Sequence, residues 1–344
     1  LTAAALALAA SVLAAVTTNP ADLDAMVQKG RVDDALAAGR AAVAVEPDDV
    51  ELRFALAKAL AVKARRAEMQ PERIEVGYDA PLFEEALLHL GEAIRLAPKR
   101  SDLRMFQCLL LTDSARIERA AAAVRSAARE LPHEAATATE LARFGAERGK
   151  RGDLEGAARL LGEVASAYPE SAPVQADYGM TLARLGRGAD ALRALDRAVA
   201  AAPKDLSMLR MRATAAMALL EFAMAESTYD AAFAVSRDER DRFGSAAAAY
   251  GGDRARGLSR MEELSAPSAS APAGLAELAS RFVRAGRAAD PGKAETDLGR
   301  ELRAQGQPLL AVPLLHRASS RAELAEVYRE LGMPGLAARA GSVR

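Results

Sequence analysis

Proline returns at a fixed interval through much of this 344-residue chain, and that interval limits the fold more than any single residue does. Pro98 and Pro132 are 34 residues apart, as are Pro169 and Pro203. Pro47 lies 51 residues before Pro98, and Pro132 lies 37 before Pro169. Twelve residues before these five prolines stand Ala35, Ala86, Ala120, Ala157 and Ala191. Five residues before them stand Ala42, Ala93, Ala127, Val164 and Ala198. Registered small residues at such a period mean one supersecondary unit used repeatedly. A single unit cannot bury its apolar face, but a row of them can, because each covers the next.

The unit is helical. Alanine where two helices cross lets the backbones approach, and larger neighbours fill the grooves. Gly30, Gly152 and Gly186 supply a positive backbone dihedral where a first helix turns into a second. Proline ends the second helix, since the residue before it is pushed out of the helical region. Hydrophobic residues make up 51% of the chain but aromatics only 4%, which suits thin two-layer helical stacks. No run of alternating β-branched or aromatic residues calls for a sheet.

The clearest copy spans residues 172–205, with Tyr178-Gly179, Leu182, Gly186, Ala191, Leu195, Ala198 and Pro203. It resembles the tetratricopeptide repeat (TPR). The resemblance covers residues 21–237 well and 292–344 more loosely. It lacks the large aromatic early in the first helix, where Arg53, Arg104, Leu141, Gln175 and Leu209 stand. The implied fold is all-α, a right-handed α-solenoid of six to eight stacked helix-turn-helix repeats. The implied role is to hold other proteins or peptides, without catalysis and without a cofactor. In such arrays the first helix of each hairpin lines the concave face. By register the partner-binding groove would use Phe54, Lys58, Met105 and Leu109, then Met180, Arg184, Arg210 and Met217. The family's chaperone-type carboxylate clamp needs two asparagines, and Asn19 is the only one in the chain.

Five segments follow from the pattern. Residues 1–20 form an apolar leader or membrane anchor, and 21–237 a repeat array. An insertion at 64–82 offers Arg65, Arg66, Arg73 and Tyr78 as a second docking edge. Residues 238–264 form a degenerate hairpin, 265–274 a Ser/Ala/Pro linker, and 275–344 repeat-like helices with a cap. The three extra residues between Pro132 and Pro169 are expected in a linker, and Asp33-Asp34, Asp48-Asp49 and Glu84-Glu85 are expected to open helices.

Residues 1–16 carry no charge, and the numbering begins without Met. They resemble the core of a secretory signal or a short anchor, with small residues at a spacing a signal peptidase accepts. The expected location is the bacterial periplasm, or the membrane facing it; a cytoplasmic array follows if this segment is instead a capping helix. The net charge of −1 is spread over interspersed acids and bases, which gives no stripe for nucleic acid. His89, His133 and His316 lie far apart, and no His or Cys pair has metal-ligand spacing. Cys108 is alone and falls where the repeat wants a small buried residue. The leading expectation is an accessory or assembly subunit of an envelope complex; the alternative is a soluble peptide-binding adaptor.

Overall fold

The computed structural model describes residues 18–65, 77–113, 116–132, 135–266, 272 and 274–342. Among them are nineteen helices, no strand and one isolated antiparallel bridge, between Arg65 and Tyr78. The protein is an all-α helical-repeat solenoid. Residues 1–17 of the apolar leader, Arg66, Arg73 and His133 lie outside the described residues, and Pro20 already opens the first helix. No helix among those described is long and apolar enough to cross a membrane. The chain divides into two compact units between Tyr168 and Pro169.

The first unit contains four hairpins. They are α1 (Pro20–Gln28) with α2 (Val32–Val45), α3 (Val50–Ala64) with α4 (Ala80–Leu96), α5 (Ser101–Asp113) with α6 (Ile117–Glu130), and α7 (Ala135–Lys150) with α8 (Leu154–Ala167). The alanines twelve residues before each proline, Ala35, Ala86, Ala120 and Ala157, are fully buried. Their size lets paired helices touch, and a larger side chain would force them apart. Leu23, Leu36, Leu52, Leu56 and Leu60 fill the grooves around Ala35 and Ala86. Gly30 and Gly152 take φ of +76° and +97° at two of the turns.

Two details differ from the pattern read in the sequence. The three extra residues before Pro169 sit inside α7, which has 16 residues against 13 in α5, and not in a linker. Helix α4 begins at Ala80, with the Asp79 carboxylate accepting from Leu82 N at 3.3 Å, so Glu84 and Glu85 lie past its opening turn. They pair instead with Arg119 and Arg40, each at 2.7 Å. Asn19 caps α1 in a reciprocal box: it accepts from Asp22 N at 3.0 Å, while Asp22 accepts from Asn19 N at 3.2 Å.

The second unit runs through α9 (Ala172–Arg184), α10 (Gly188–Ala201), α11 (Leu206–Ala218), α12 (Phe222–Ser236), α13 (Glu239–Gly252) and α14 (Arg254–Ser265). It continues with α15 (Leu275–Gly286), α16 (Pro291–Ala304), α17 (Pro308–Arg317), α18 (Arg321–Glu330) and α19 (Pro334–Ser342). One hydrophobic core holds Met261 and Leu264 together with Ala279, Phe282 and Leu298, so the Ser/Ala/Pro segment does not separate two cores. A fully buried carboxylate ties the same region. Glu295 on α16 accepts from the Tyr250 hydroxyl at 2.6 Å and from Arg254 Nε and Nη2 at 2.9 Å each.

The last three helices fold back on the first helices of the earlier hairpins. Helix α17 packs across α13 and α11, and α19 packs on α9. The Tyr328 hydroxyl donates to Ala218 O at 2.8 Å, and Arg184 Nε donates to Gly332 O at 2.9 Å. The second unit therefore has a filled inner side where an open trough was expected.

Candidate partner-binding surfaces

In the first unit the first helices of successive hairpins bring Phe54, Met105 and Leu109 to one concavity of about 590 Å³. Phe106 and Phe144 join them there. All five side chains are partly exposed. The Phe54 and Phe106 rings meet edge-on, with centroids 5.5 Å apart. Such an arrangement presents ring faces and edges to an incoming apolar group.

Charges around this floor are already engaged. Lys58 Nζ lies 2.7 Å from the Asp24 carboxylate and 5.1 Å from the Phe54 ring centroid. Arg143 pairs with Glu140 at 2.5 Å. The buried Arg148 donates to Asp153 at 2.6 Å and to Thr112 O at 2.7 Å, which fixes the end of α7 to the end of α5. Asp113, at the end of α5, lies 3.9 Å from Arg151. Burial pushes its carboxyl above the usual range, against the pull of Arg151, Arg65 and Arg148.

The insertion is rooted at the same end of α5. Arg65 and Tyr78 form the bridge that closes it, and Asp79 N donates to Ala64 O at 2.7 Å. The Tyr78 ring packs tilted against Phe83 with centroids 4.9 Å apart, and Phe83 also carries the Arg116 guanidinium 4.0 Å above its centroid. Burial and the nearby Asp113 raise the Tyr78 hydroxyl above its ordinary pKa. Of the four insertion residues read from sequence, the described ones thus frame the root of the segment, next to the concavity.

The second unit corrects the rest of the groove. Met217 is fully buried in the core and presents nothing to a partner. Arg184 is bonded to the returning tail. Arg210 joins α11 to α13, donating to the buried Asp241 at 2.9 and 2.7 Å. Met180 is partly buried on α9. Of the four, Arg184 meets the returning tail, Met217 lies in the core, Arg210 bridges two helices, and Met180 stays partly exposed.

Phe144 was not read from the sequence, because the extra residues in α7 break the register. Counted from the proline before, it falls level with Leu110; counted from the proline after, with Gln107. Phe106 had a plain signal as the aromatic neighbour of Met105.

Residues 150–214 match the tetratricopeptide repeat family. The matched stretch runs from the end of α7 into α11, and the rest of the described chain shares the helical-repeat fold. No curated protein is detectably similar to it in sequence. Among solved structures it is similar to YrrB, described as a TPR protein with an unusual peptide-binding site. That likeness has 14% identity over 59% of this chain and 94% of YrrB, with a TM-score of 0.33. Pseudomonas aeruginosa pilF shares 19% identity over 53% of this chain and 82% of its own, with a TM-score of 0.32. A tetratricopeptide repeat protein from Parabacteroides merdae shares 16% over 75% and 93%, with a TM-score of 0.34. Likenesses at these scores assign no partner. The candidate site therefore rests on this chain's own side chains.

Proposed function

We propose that this protein is a non-catalytic TPR-like scaffold that holds an apolar segment of another protein in the concavity of its first unit. The observation that carries this reading is the patch of Phe54, Met105, Phe106, Leu109 and Phe144, partly exposed within one concavity. The surrounding Lys58, Arg143 and Arg148 are spent on internal partners, so recognition rests on apolar shape. Aromatic and methionine side chains suit a helix or extended strip that presents its own apolar anchors. The insertion root at Arg65 and Tyr78 borders this surface and offers the partner a second contact.

The test is binding of amphipathic helical peptides selected against the full chain. Phe54→Glu combined with Leu109→Glu should weaken binding by more than tenfold, while Met180→Glu in the second unit leaves it unchanged. Undiminished binding by the double variant, with its helical circular dichroism intact, would overturn the reading.

The proposal extends to place and pathway. Residues 1–16 would direct export or anchor the protein, which would then serve as an accessory or assembly subunit of an envelope complex. Carbonate extraction and amino-terminal sequencing of the native protein test this. A protein that stays in the cytosol with those residues attached would instead be a soluble peptide-binding adaptor.

A further inference from the structure

The returning tail of the second unit leaves a cavity of about 890 Å³ against the earlier helices. The start of α10 and the α11–α12 turn line one side, and α17, α18 and α19 line the other. The volume lies within the usual range for small-ligand sites, about 300–1,000 Å³. The floor is apolar: Leu315, Leu324, Tyr328 and Leu336 are each less than a tenth exposed and belong to the core of the unit.

A feature of the backbone sets this cavity apart. A three-residue turn with a left-handed middle residue recurs between helices of this fold. Gly30, Gly152, Gly186, Gly306 and Gly332 fill that middle place, where a side chain would crowd the following carbonyl. Among the described residues two such turns keep a side chain instead, with Leu220 at φ +66° and Ser319 at φ +55°. Both line this cavity. They come from opposite sides of it, Leu220 from the α11–α12 turn and Ser319 from the α17–α18 turn. Backbone strain of this kind persists where the surrounding structure makes use of it. What these two residues supply is wall: an isobutyl group packed on the core and a hydroxyl at the exposed rim.

The charges of the lining do not select a charged ligand. Asp190 pairs with Arg193, and Arg187 and Arg321 interact within the protein. Arg339 and Glu221 are one of each sign. Uncharged polar groups stand at the rim beside them. His316 O accepts from Ser319 N at 3.0 Å, so the hydroxyl and the imidazole belong to one turn. Partial burial and the neighbouring Arg317 hold the imidazole below its ordinary pKa. A neutral imidazole offers one donor and one acceptor. A leucine floor takes methylene chains without regard to their exact shape. We propose that this cavity binds a small uncharged molecule with an aliphatic body and a hydroxyl, the body laid on the leucine floor against Leu220 and the hydroxyl bonded at the rim by Ser319 and His316. The proposal stands apart from the protein-binding concavity of the first unit and uses none of its residues.

Calorimetric titration of the full chain with 1-octanol, octanoate and octylammonium tests it. The alcohol should bind at least tenfold more tightly than either ion. Ser319→Gly should weaken octanol binding at least threefold while leaving Tm unchanged or raised, because glycine relieves the left-handed strain. A turn residue with no ligand role would show the second effect without the first. Leu220→Gly should weaken octanol binding at least tenfold. Ala340→Trp, which fills the cavity from a partly exposed position, should abolish it with helical circular dichroism retained. Gly341→Ala, next to it but outside the lining, should bind as the parent does. Either ion binding as tightly as octanol, no octanol binding up to its solubility, or full affinity in both glycine variants would each overturn the proposal.

Discussion

Closure of the second unit makes Gly335 a position where a single methyl group should act strongly. A Cβ built there would lie 2.1 Å from Leu185 O, 2.2 Å from Leu185 C and 2.7 Å from Gly186 N. These are backbone atoms, so no rotamer change relieves the overlap. Helix α19 would have to move by about 1 Å to restore contact distances. Overpacking of this kind costs roughly 1–3 kcal/mol, and the better helix propensity of alanine offsets part of that. The expected net loss for Gly335→Ala is about 1–2 kcal/mol. For a unit of this size that is a fall in Tm of roughly 2–8 °C by calorimetry. Amide exchange should accelerate in α18 and α19 before it does in α9. Gly341 on the same helix is the internal control, because a Cβ placed there would meet nothing within 4 Å. Gly341→Ala should be neutral or stabilising by up to about 1 kcal/mol. If the two variants melt alike, the tail is not held by close backbone approach and the argument for a sealed second unit fails.

Other variants probe separate contacts. Arg210→Ala strips the buried Asp241 of its main partner and should cost about 2–3 kcal/mol, below the value for a fully buried pair because Arg210 is 42% exposed. Burial raises the Asp241 pKa, but hydrogen bonds from Arg210 and Ser236 outweigh it and leave the group below its ordinary value. A depressed carboxylate stabilises the fold above its unfolded pKa. That contribution should fade in urea titrations as pH falls through the lower folded value, and Arg210→Ala should flatten the dependence. Asp113 has the opposite sign. Its raised pKa makes the ionised form a cost, so Asp113→Asn should raise Tm at pH 7 and lose that advantage as pH drops through the carboxylate range. The buried Cys108 thiol is pushed up to about 12, so a disulfide reagent should leave it unmodified in the native protein and label it on unfolding. Rapid native labelling would contradict its placement.

The repeat was legible because its determinants are local. Each hairpin needs a small residue at its own crossing, a turn glycine and a stop, all within one period. Ala120 and Ala157 occupy their crossings as the spacing requires, and both are buried. The lengthened α7 was not legible, since three added helical residues and three added linker residues give the same distance between prolines. The sealing of the second unit was harder still. Tyr328 and Ala218 are 110 residues apart, and Arg184 and Gly332 are 148 apart. No periodicity encodes such pairs. The sole local hint was the tail's compressed offset of 26 residues between Gly306 and Gly332. Met217 illustrates the result: the register placed it in a groove, and it is fully buried in the core.

The two units use one frame for different ends, and the size of the inward side chains separates them. In the first unit the inner helices carry Phe54, Met105, Phe106 and Phe144 around the concavity, and these remain partly exposed. In the second, α11 and α13 carry Ala215, Ala216 and Ala218, then Ala246 through Ala249, all buried. Alanine-rich faces leave a groove shallow and close enough for another helix to nest, and α17 packs across these two. Bulky faces hold a nesting helix further off and offer anchors to side chains from elsewhere. On this argument an inner face of alanine recruits the protein's own tail, while an inner face of aromatics and methionine is left for a partner. Ala247→Phe should therefore loosen α17 and raise amide exchange throughout the tail without disturbing peptide binding in the first unit. Tail exchange unchanged in that variant would mean that the side-chain size of the inner helices does not decide which unit is filled.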